Sequence, residues 1–523
     1  MALSFAAIPI IFIVTDFFYF GRQWDSLDDD VHVTFFRWAQ LLLDGSPVQL
    51  FRHMPGTPMI EFFVIFAAIG EITEITYEDM NRIGLIVYVL ALIVAAAIIS
   101  KFNDELKLSS VEMAVLAIWV FSMPNMLRYM TMFSIYYLFG LLMLLSGVIF
   151  CAVYKSDFRK HWNKLFFVFG VAITFLYLAV IPFLAVCVVY LWRVYRGGKA
   201  VIREDAGLSR HPVLHVAAFV AAILLASGFV GIVLNLFHPH VASMKFVLIT
   251  SSVLSIILAL AISRMNVLQV AKSCAIALSV QVFAFGASYY TSGSISELKY
   301  TPSIVAAFPT VLIALSLWQL PWFKDMAAGP FGFYALGVGV VGNIYTPFYA
   351  YGVLVALGHY SDTHSAFTVN SEFWNLVVRN SWNASIVAVV AVGVGVVFFR
   401  RAASEYLQEK SSEILFYLMM SGILVVATIL PVYDLLISRS YEILLFGPDY
   451  LPTGDGPLET PTFFGIRSRY LLPLLFTIPI IMMAIHACGT KIKVTALAVL
   501  VTVSVLSVSE YIVVAVPAFK NAF

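Results

Sequence analysis

The chain has 523 residues, of which 61% are hydrophobic and 12% charged, and its net charge is +1. Soluble globular proteins carry about 25% charged residues, so this much apolar surface calls for a bilayer rather than a soluble core. A near-neutral charge carries no polyanion signal, so no nucleic-acid partner is expected. Cys151, Cys187, Cys274 and Cys488 form no CxxC pair and no Cys/His metal spacing. They read as packing residues.

A spanning helix takes about 20 apolar residues. The first run, 3–20, has no basic residue ahead of it and no small-residue cleavage site behind it. It therefore reads as a retained span rather than a signal. Segment 21–82 follows. Further runs lie at 83–100, 111–123, 131–154, 165–192, 213–237, 245–262, 266–288, 303–323, 330–357, 383–399, 413–437, 470–487 and 493–516. The fold class is all-α integral membrane: a polytopic helical bundle of about 13 to 15 transmembrane helices, forming one domain over 1–523.

Lys and Arg in short loops favour the cytoplasm. Loop 155–164 has four basic residues and one acid, and loop 193–212 has five and two. Arg400, Arg401 and Lys410 mark segment 400–412, and Lys491 and Lys493 form a short basic turn. All four fall on the cytoplasmic side. Run 165–192 then starts and ends on one side, so it reads as two short helices in a hairpin, with Gly170 and Pro182 permitting the break. Loops 358–382 and 438–469 fall outside, as does segment 21–82. Its apolar stretch 59–70 contains Glu61 and fits a helix lying in the interface; a true span with a shifted count is the alternative.

Segment 21–82 holds ten Asp or Glu, four Arg and no Lys. Asp28-Asp29-Asp30 precedes an amphipathic pattern over 33–43 that carries Arg37 and Ala39. Asp is a good N-cap, and a helix N-terminus favours negative charge. Gly45 is a natural stop, and His53-Met-Pro55-Gly56 then leads to the apolar stretch. Near the end stands Arg467-Ser-Arg469-Tyr470-Leu-Leu-Pro473, and Pro124-Asn-Met-Leu-Arg128-Tyr129 follows a short span.

This order resembles the GT-C superfamily of polytopic glycosyltransferases, such as protein O-mannosyltransferases and lipid A aminoarabinose transferases. Those enzymes open with one span, an acidic pair, a helix with a small residue and an Arg, a Gly, and a Pro-rich turn before an interfacial helix. Many carry an Arg-Tyr-x-x-Pro element at a late span. With Asp30 in the first acidic position, Val31 stands where the second acid would be; Asp29-Asp30 as the pair needs one inserted residue. Both registers stay open. The acid that often follows the Pro124–Tyr129 type of element is missing here.

The resemblance implies sugar transfer from a polyprenyl- or dolichyl-phosphate donor to an acceptor hydroxyl on a glycan, lipid or protein, with inversion. Asp30, Asp29 or Asp28 would be the general base. Arg469 and Arg467 would bind the donor phosphate, since Arg offers planar bidentate donors. His53, Arg37, Tyr470 and His364 would contact substrate. No metal site and no required cofactor are implied, although carboxylates suit a divalent cation such as Mg or Mn. The expected place is the plasma membrane of a prokaryote, amid membrane lipids, with an extracytoplasmic site; the endoplasmic reticulum also suits the family.

Bland readings stand beside these. The aspartates can be a solvated cap, and the arginines can anchor a helix end at headgroups. The alternative function is a multi-pass transporter or flippase of a lipid-linked or small solute, which would need polar groups at mid-span and broken helices. A ligase or polymerase of lipid-linked saccharides is a third.

Overall fold

The computed structural model describes residues 5–7, 9–11, 77–123, 126, 135–156, 159–175, 179–197, 244–262, 266–292, 307–319, 329–341, 414, 416–425 and 472–510. These are helical, with no strand among the described residues. In chain order the helices are α1 (Tyr77–Leu106), α2 (Ser110–Phe121), α3 (Ile135–Ser156), α4 (Arg159–Phe175), α5 (Val180–Gly197), α6 (Met244–Ile262), α7 (Val267–Ser292), α8 (Ala307–Trp318), α9 (Pro330–Val341), α10 (Thr477–Ala487) and α11 (Thr490–Glu510). Among the described residues, three stretches are long and apolar enough to cross a membrane: Ile86–Leu106, Tyr136–Lys155 and Thr490–Ser509. The described part of the chain is compatible with an all-α membrane protein. Runs 213–237 and 383–399 lie outside the described residues.

The chain divides into two compact units. In the first, α1 has 30 residues, about 45 Å at 1.5 Å per residue. That exceeds the roughly 30 Å hydrocarbon thickness. Its composition matches: 83–100 is free of charge, while Glu78, Asp79 and Arg82 lie at one end and Lys101, Asp104 and Glu105 at the other. The helix therefore takes in residues 77–82, which the sequence reading gave to the first loop.

α1 ends in a tight turn. Lys107 adopts φ 60°, and its N–H donates to the Asn103 carbonyl at 2.8 Å. A left-handed residue just past a helix is usually Gly, because a Cβ there is crowded. Asn103 offsets the cost. Its amide donates to the Leu108 carbonyl at 3.0 Å, and its side-chain oxygen accepts from the Leu108 N–H at 3.1 Å. α2 then starts on a capping box: the Glu112 N–H donates to Ser109 Oγ, and the Ser109 N–H donates to Glu112 Oε2 at 2.7 Å.

Helix directions follow from paired contacts. Tyr88 and Tyr137 meet at 4.6 Å between ring centroids, and Lys155 Nζ donates to the Leu106 carbonyl at 2.9 Å. α1 and α3 thus run parallel. Tyr154 stacks on Phe416 at 3.9 Å, so the helical segment Phe416–Val425 begins at the C-terminal end of α3. Gly147 of α3 lies against the Phe476 carbonyl and Pro479, where a Cβ would not fit. α3 is buried along most of its length. α11 buries one stripe (Leu497, Leu500, Ser504, Ser507) and exposes Val494, Val505 and Leu506.

The second unit contains α4 to α9. α4 starts at Arg159, six residues before the expected run, because Arg, Lys and Trp continue a helix readily. Its antiparallel partner is α5: Trp162 meets Tyr190 at 5.0 Å, and Phe169 meets Phe183 at 5.3 Å. The hairpin expected over 165–192 is present, but neither Gly170 nor Pro182 makes the break. Pro182 lies in the first turn of α5, where a missing N–H costs nothing. Gly170 lies inside α4 and admits α9: a Cβ would strike the Tyr334 carbonyl, and one on Gly337 would strike the Phe167 carbonyl. Small residues at such crossings let helix backbones approach closely in membranes. Phe183 stacks on Tyr334 at 4.2 Å.

α6, α7 and α8 pack around Ala259, Val270, Ala277, Val311 and Leu312. α7 and α8 are antiparallel and tied near both ends. Gln281 Oε1 accepts from the Phe308 N–H at 2.8 Å, and Gln319 Nε2 donates to Ser273 Oγ at 2.9 Å.

Candidate functional site

Asp28, Asp29, Asp30, Arg37, His53, His364, Arg467, Arg469 and Tyr470 lie outside the described residues, as do the interfacial stretch 59–70 and loops 358–382 and 438–469. What the structure describes is where the flanking chain attaches. Segment 21–82 runs into α1, and Arg467–Tyr470 immediately precedes the buried stretch Leu472–Ala487.

That stretch runs roughly parallel to α3. Gly140, near the start of α3, lies against Leu475, and Gly147 lies against Phe476 and Pro479. The N-terminal parts of α1, α3 and Leu472–Ala487 are therefore at one end of the first unit. At the other end are Leu106, Lys155, Phe416, His486 and the start of α11. This second group is the set of ends that the basic-loop reading assigns to the cytoplasm.

A polar cluster closes that second end. Glu112 Oε1 sits 2.9 Å from His486 Nδ1 and 3.2 Å from Lys493 Nζ. Its side chain is 2% exposed, against 22% for His486 and 26% for Lys493. A buried carboxylate is costly unless it is paired and hydrogen-bonded. Glu112 meets that requirement through two cationic or imidazole groups and the Ser109 N–H. Lys493 lies in the first turn of α11, not in an irregular basic turn, and its N–H donates to the Gly489 carbonyl at 3.0 Å. Cations at a helix N-terminus are unfavourable to the helix dipole, and Glu112 compensates.

Sequence reasoning passed over Glu112 and His486. The Ser-x-x-Glu box at Ser109–Glu112 was visible as a helix start, and run 470–487 contains no Asp, Glu, Lys or Arg and a single His, His486. Their meeting across the fold was not visible. Chemically the arrangement is a clamp joining α2, α10 and α11. A carboxylate that orients an imidazole also occurs in acid–base sites, but there the imidazole faces a nucleophile or substrate, and a Lys shares this carboxylate. Among the described residues, no group of three or more His, Cys, Asp or Glu could hold a metal ion.

Between α10 and α11, Cys488 is buried and donates to the Ala484 carbonyl. Burial pushes its thiol up to about 11, against the opposing pull of Lys493. The four cysteines are free thiols; Cys274 is half-buried and the others are buried.

No protein-family model, curated protein or solved structure matches the chain.

Proposed function

We propose that this chain is an inverting, lipid-phosphate-sugar-dependent glycosyltransferase with a polytopic GT-C-like arrangement, acting at the outer face of a prokaryotic plasma membrane. The reading rests on the ordered acidic, Arg-Gly, Pro-Gly and late Arg-Tyr-Pro elements of the sequence. One structural observation supports it. The two segments that carry the proposed base and the proposed phosphate ligands attach at the same end of the first unit, one leading into α1 and the other into Leu472.

In this reading the acceptor hydroxyl attacks the anomeric carbon as an aspartate among Asp28–Asp30 removes its proton. The bond to the lipid phosphate breaks, and the phosphate leaves with an added negative charge. Arg469 and Arg467 stabilise that charge as it develops. His53, Arg37, Tyr470 and His364 orient sugar and acceptor, and a divalent cation near the aspartates is optional to the chemistry.

The test uses purified protein, a radiolabelled pool of polyprenyl-phosphate sugars, and a membrane extract as acceptor. Transfer by the wild type, lost in Asp29→Asn or Asp30→Asn with an unchanged melting midpoint, supports the reading. Arg469→Ala is expected to weaken donor binding. Absence of transfer from every donor pool, with solute uptake in proteoliposomes abolished by the same aspartate variants, replaces the transferase with a transporter.

A further inference from the structure

Tyr137 stands in the first turn of α3, and its side chain is fully buried. Among the described residues, its Oη has no hydrogen-bond partner. Burying a hydroxyl without a partner is unfavourable, so such a group calls for a physical reason. The ring packs on Tyr88 of α1, with centroids 4.6 Å apart. Trp119 Nε1, Ser421 Oγ and Ser504 Oγ are also buried without a partner there. A serine hydroxyl can turn to a carbonyl in the preceding turn of its own helix. A phenol oxygen stands too far from its backbone to do so.

Position separates Tyr137 from the other three. Leu106 and Lys155 meet 49 positions apart, as do Tyr88 and Tyr137, so α1 and α3 keep one register. From residue 137 to residue 155 the helix spans about 27 Å at 1.5 Å per residue, close to the roughly 30 Å of the hydrocarbon layer. With Lys155 at the basic end, Tyr137 lies near the opposite boundary, where headgroups begin. Gly140, one turn further in, lies against Leu475. Because α3 and Leu472–Ala487 run roughly parallel, Tyr137 is level with the start of that stretch, which Arg467–Tyr470 immediately precedes. The other three groups lie deeper. Counted from the basic end, Trp119 is seven residues past Glu112, Ser504 eleven past Lys493, and Ser421 five past Phe416.

We propose that the Tyr137 hydroxyl donates a hydrogen bond to the phosphate of the lipid-linked sugar donor. This role rests on the transferase reading above and adds a neutral donor to the two arginines. A hydrogen bond to a charged phosphate oxygen is stronger than one between neutral groups. A phenol supplies it without placing a further cation at the edge of the hydrocarbon, where charge is expensive. Side chains on α3 leave the backbone tilted toward its N-terminal end, so a small rotation of the phenol carries Oη toward the boundary where a lipid phosphate lies. The contact exists before and during transfer, so its loss acts on donor binding and raises KM with kcat unchanged.

The experiment compares full-length wild type with Tyr137→Phe in neutral detergent, using radiolabelled polyprenyl-phosphate sugars and a membrane extract as acceptor. Tyr137→Phe is expected to raise the donor KM about tenfold or more and to leave the acceptor KM as it is. Its thermal midpoint should stay level or rise, because the variant removes a buried hydroxyl that no protein group satisfies. Ser421→Ala, which removes another such hydroxyl away from the boundary, should keep the wild-type donor KM. Polyprenyl phosphate alone should raise the midpoint of the wild type more than that of Tyr137→Phe. A wild-type donor KM in Tyr137→Phe overturns the proposal and leaves the transferase reading standing. A lowered midpoint also overturns it, since the hydroxyl would then serve the fold. Absence of transfer by the wild type from every donor pool removes the transferase reading and this role with it.

Discussion

Glu112 and His486 stand 374 positions apart in the chain and meet at 2.9 Å. Their contact joins the first turn of α2 to the last turn of α10, and Lys493 extends it to α11. The carboxylate is buried while both partners keep some water. Its removal should therefore cost less than breaking a fully buried ion pair, for which 3–5 kcal/mol is typical.

For Glu112→Gln we expect a loss of about 1–3 kcal/mol, read as a lower thermal-unfolding midpoint in detergent. A double-mutant cycle with Lys493→Met should be non-additive by at least about 0.5 kcal/mol. Strict additivity would mean that the two side chains are neighbours without energetic coupling.

The helix crossing at Gly170 and Gly337 should tolerate no side chain. Gly170→Ala and Gly337→Ala each set a Cβ against a backbone carbonyl of the facing helix, which cannot move as a side-chain tip can. A loss of about 1–3 kcal/mol is expected for each. Gly286 and Gly422 are the controls, because a Cβ there meets nothing within 4 Å. Alanine at those helical positions should be neutral or stabilising by up to about 1 kcal/mol. Thermal midpoints of the four variants check this; equal effects at all four sites would contradict the packing.

Lys107→Gly should stabilise the α1–α2 turn by about 1 kcal/mol, since glycine adopts φ 60° without a Cβ penalty. Asn103→Ala should do the reverse by about 1–3 kcal/mol, leaving the buried Leu108 N–H and carbonyl without their partner. Hydrogen exchange at Leu108 is the local readout, and it should slow in the first variant and quicken in the second.

Cys488 should resist alkylation at neutral pH. The thiolate is the reactive form, and a thiol pushed up to about 11 by burial is almost wholly protonated below pH 8. The rate with iodoacetamide should climb about tenfold per pH unit up to that range, as expected for a group that titrates above it. Lys493→Gln removes a cation that favours the thiolate and should slow the reaction further. A rate already level by pH 9 would contradict the burial.

The substitution Gln281→Leu should leave the Phe308 N–H, in the first turn of α8, without its acceptor. Polar links between membrane helices are worth about 0.6 kcal/mol on average and up to about 1.7. A midpoint shift within that range is expected, with a larger loss when Gln319→Leu removes the second tie as well.

Hydropathy and run length were enough for an all-helical chain with segments apolar enough to span a membrane, and for the approximate limits of the described helices. Apolar runs of spanning length are local properties, so 245–262 appears as α6 within one residue, and 111–123 and 131–154 reappear as α2 and α3 with small shifts. Charge near the ends was less legible. Lys and Arg read as loop markers at 155–164 and 491–493, yet they are helical in both places, because a long side chain lets a helix run on past the apolar boundary. The proposed catalytic residues were legible only as an ordered pattern.

Which polar groups meet depends on how the helices pack. A glutamate in a capping box and a histidine in a distant apolar run carry no mark of each other, since the contact depends on the packing of α2, α10 and α11. The same holds for the glycines: Gly170 looked like a break in a helix and serves instead as the gap through which α9 approaches. Local pattern fixes where a helix forms, but what lies against its face is set by the neighbours that burial selects.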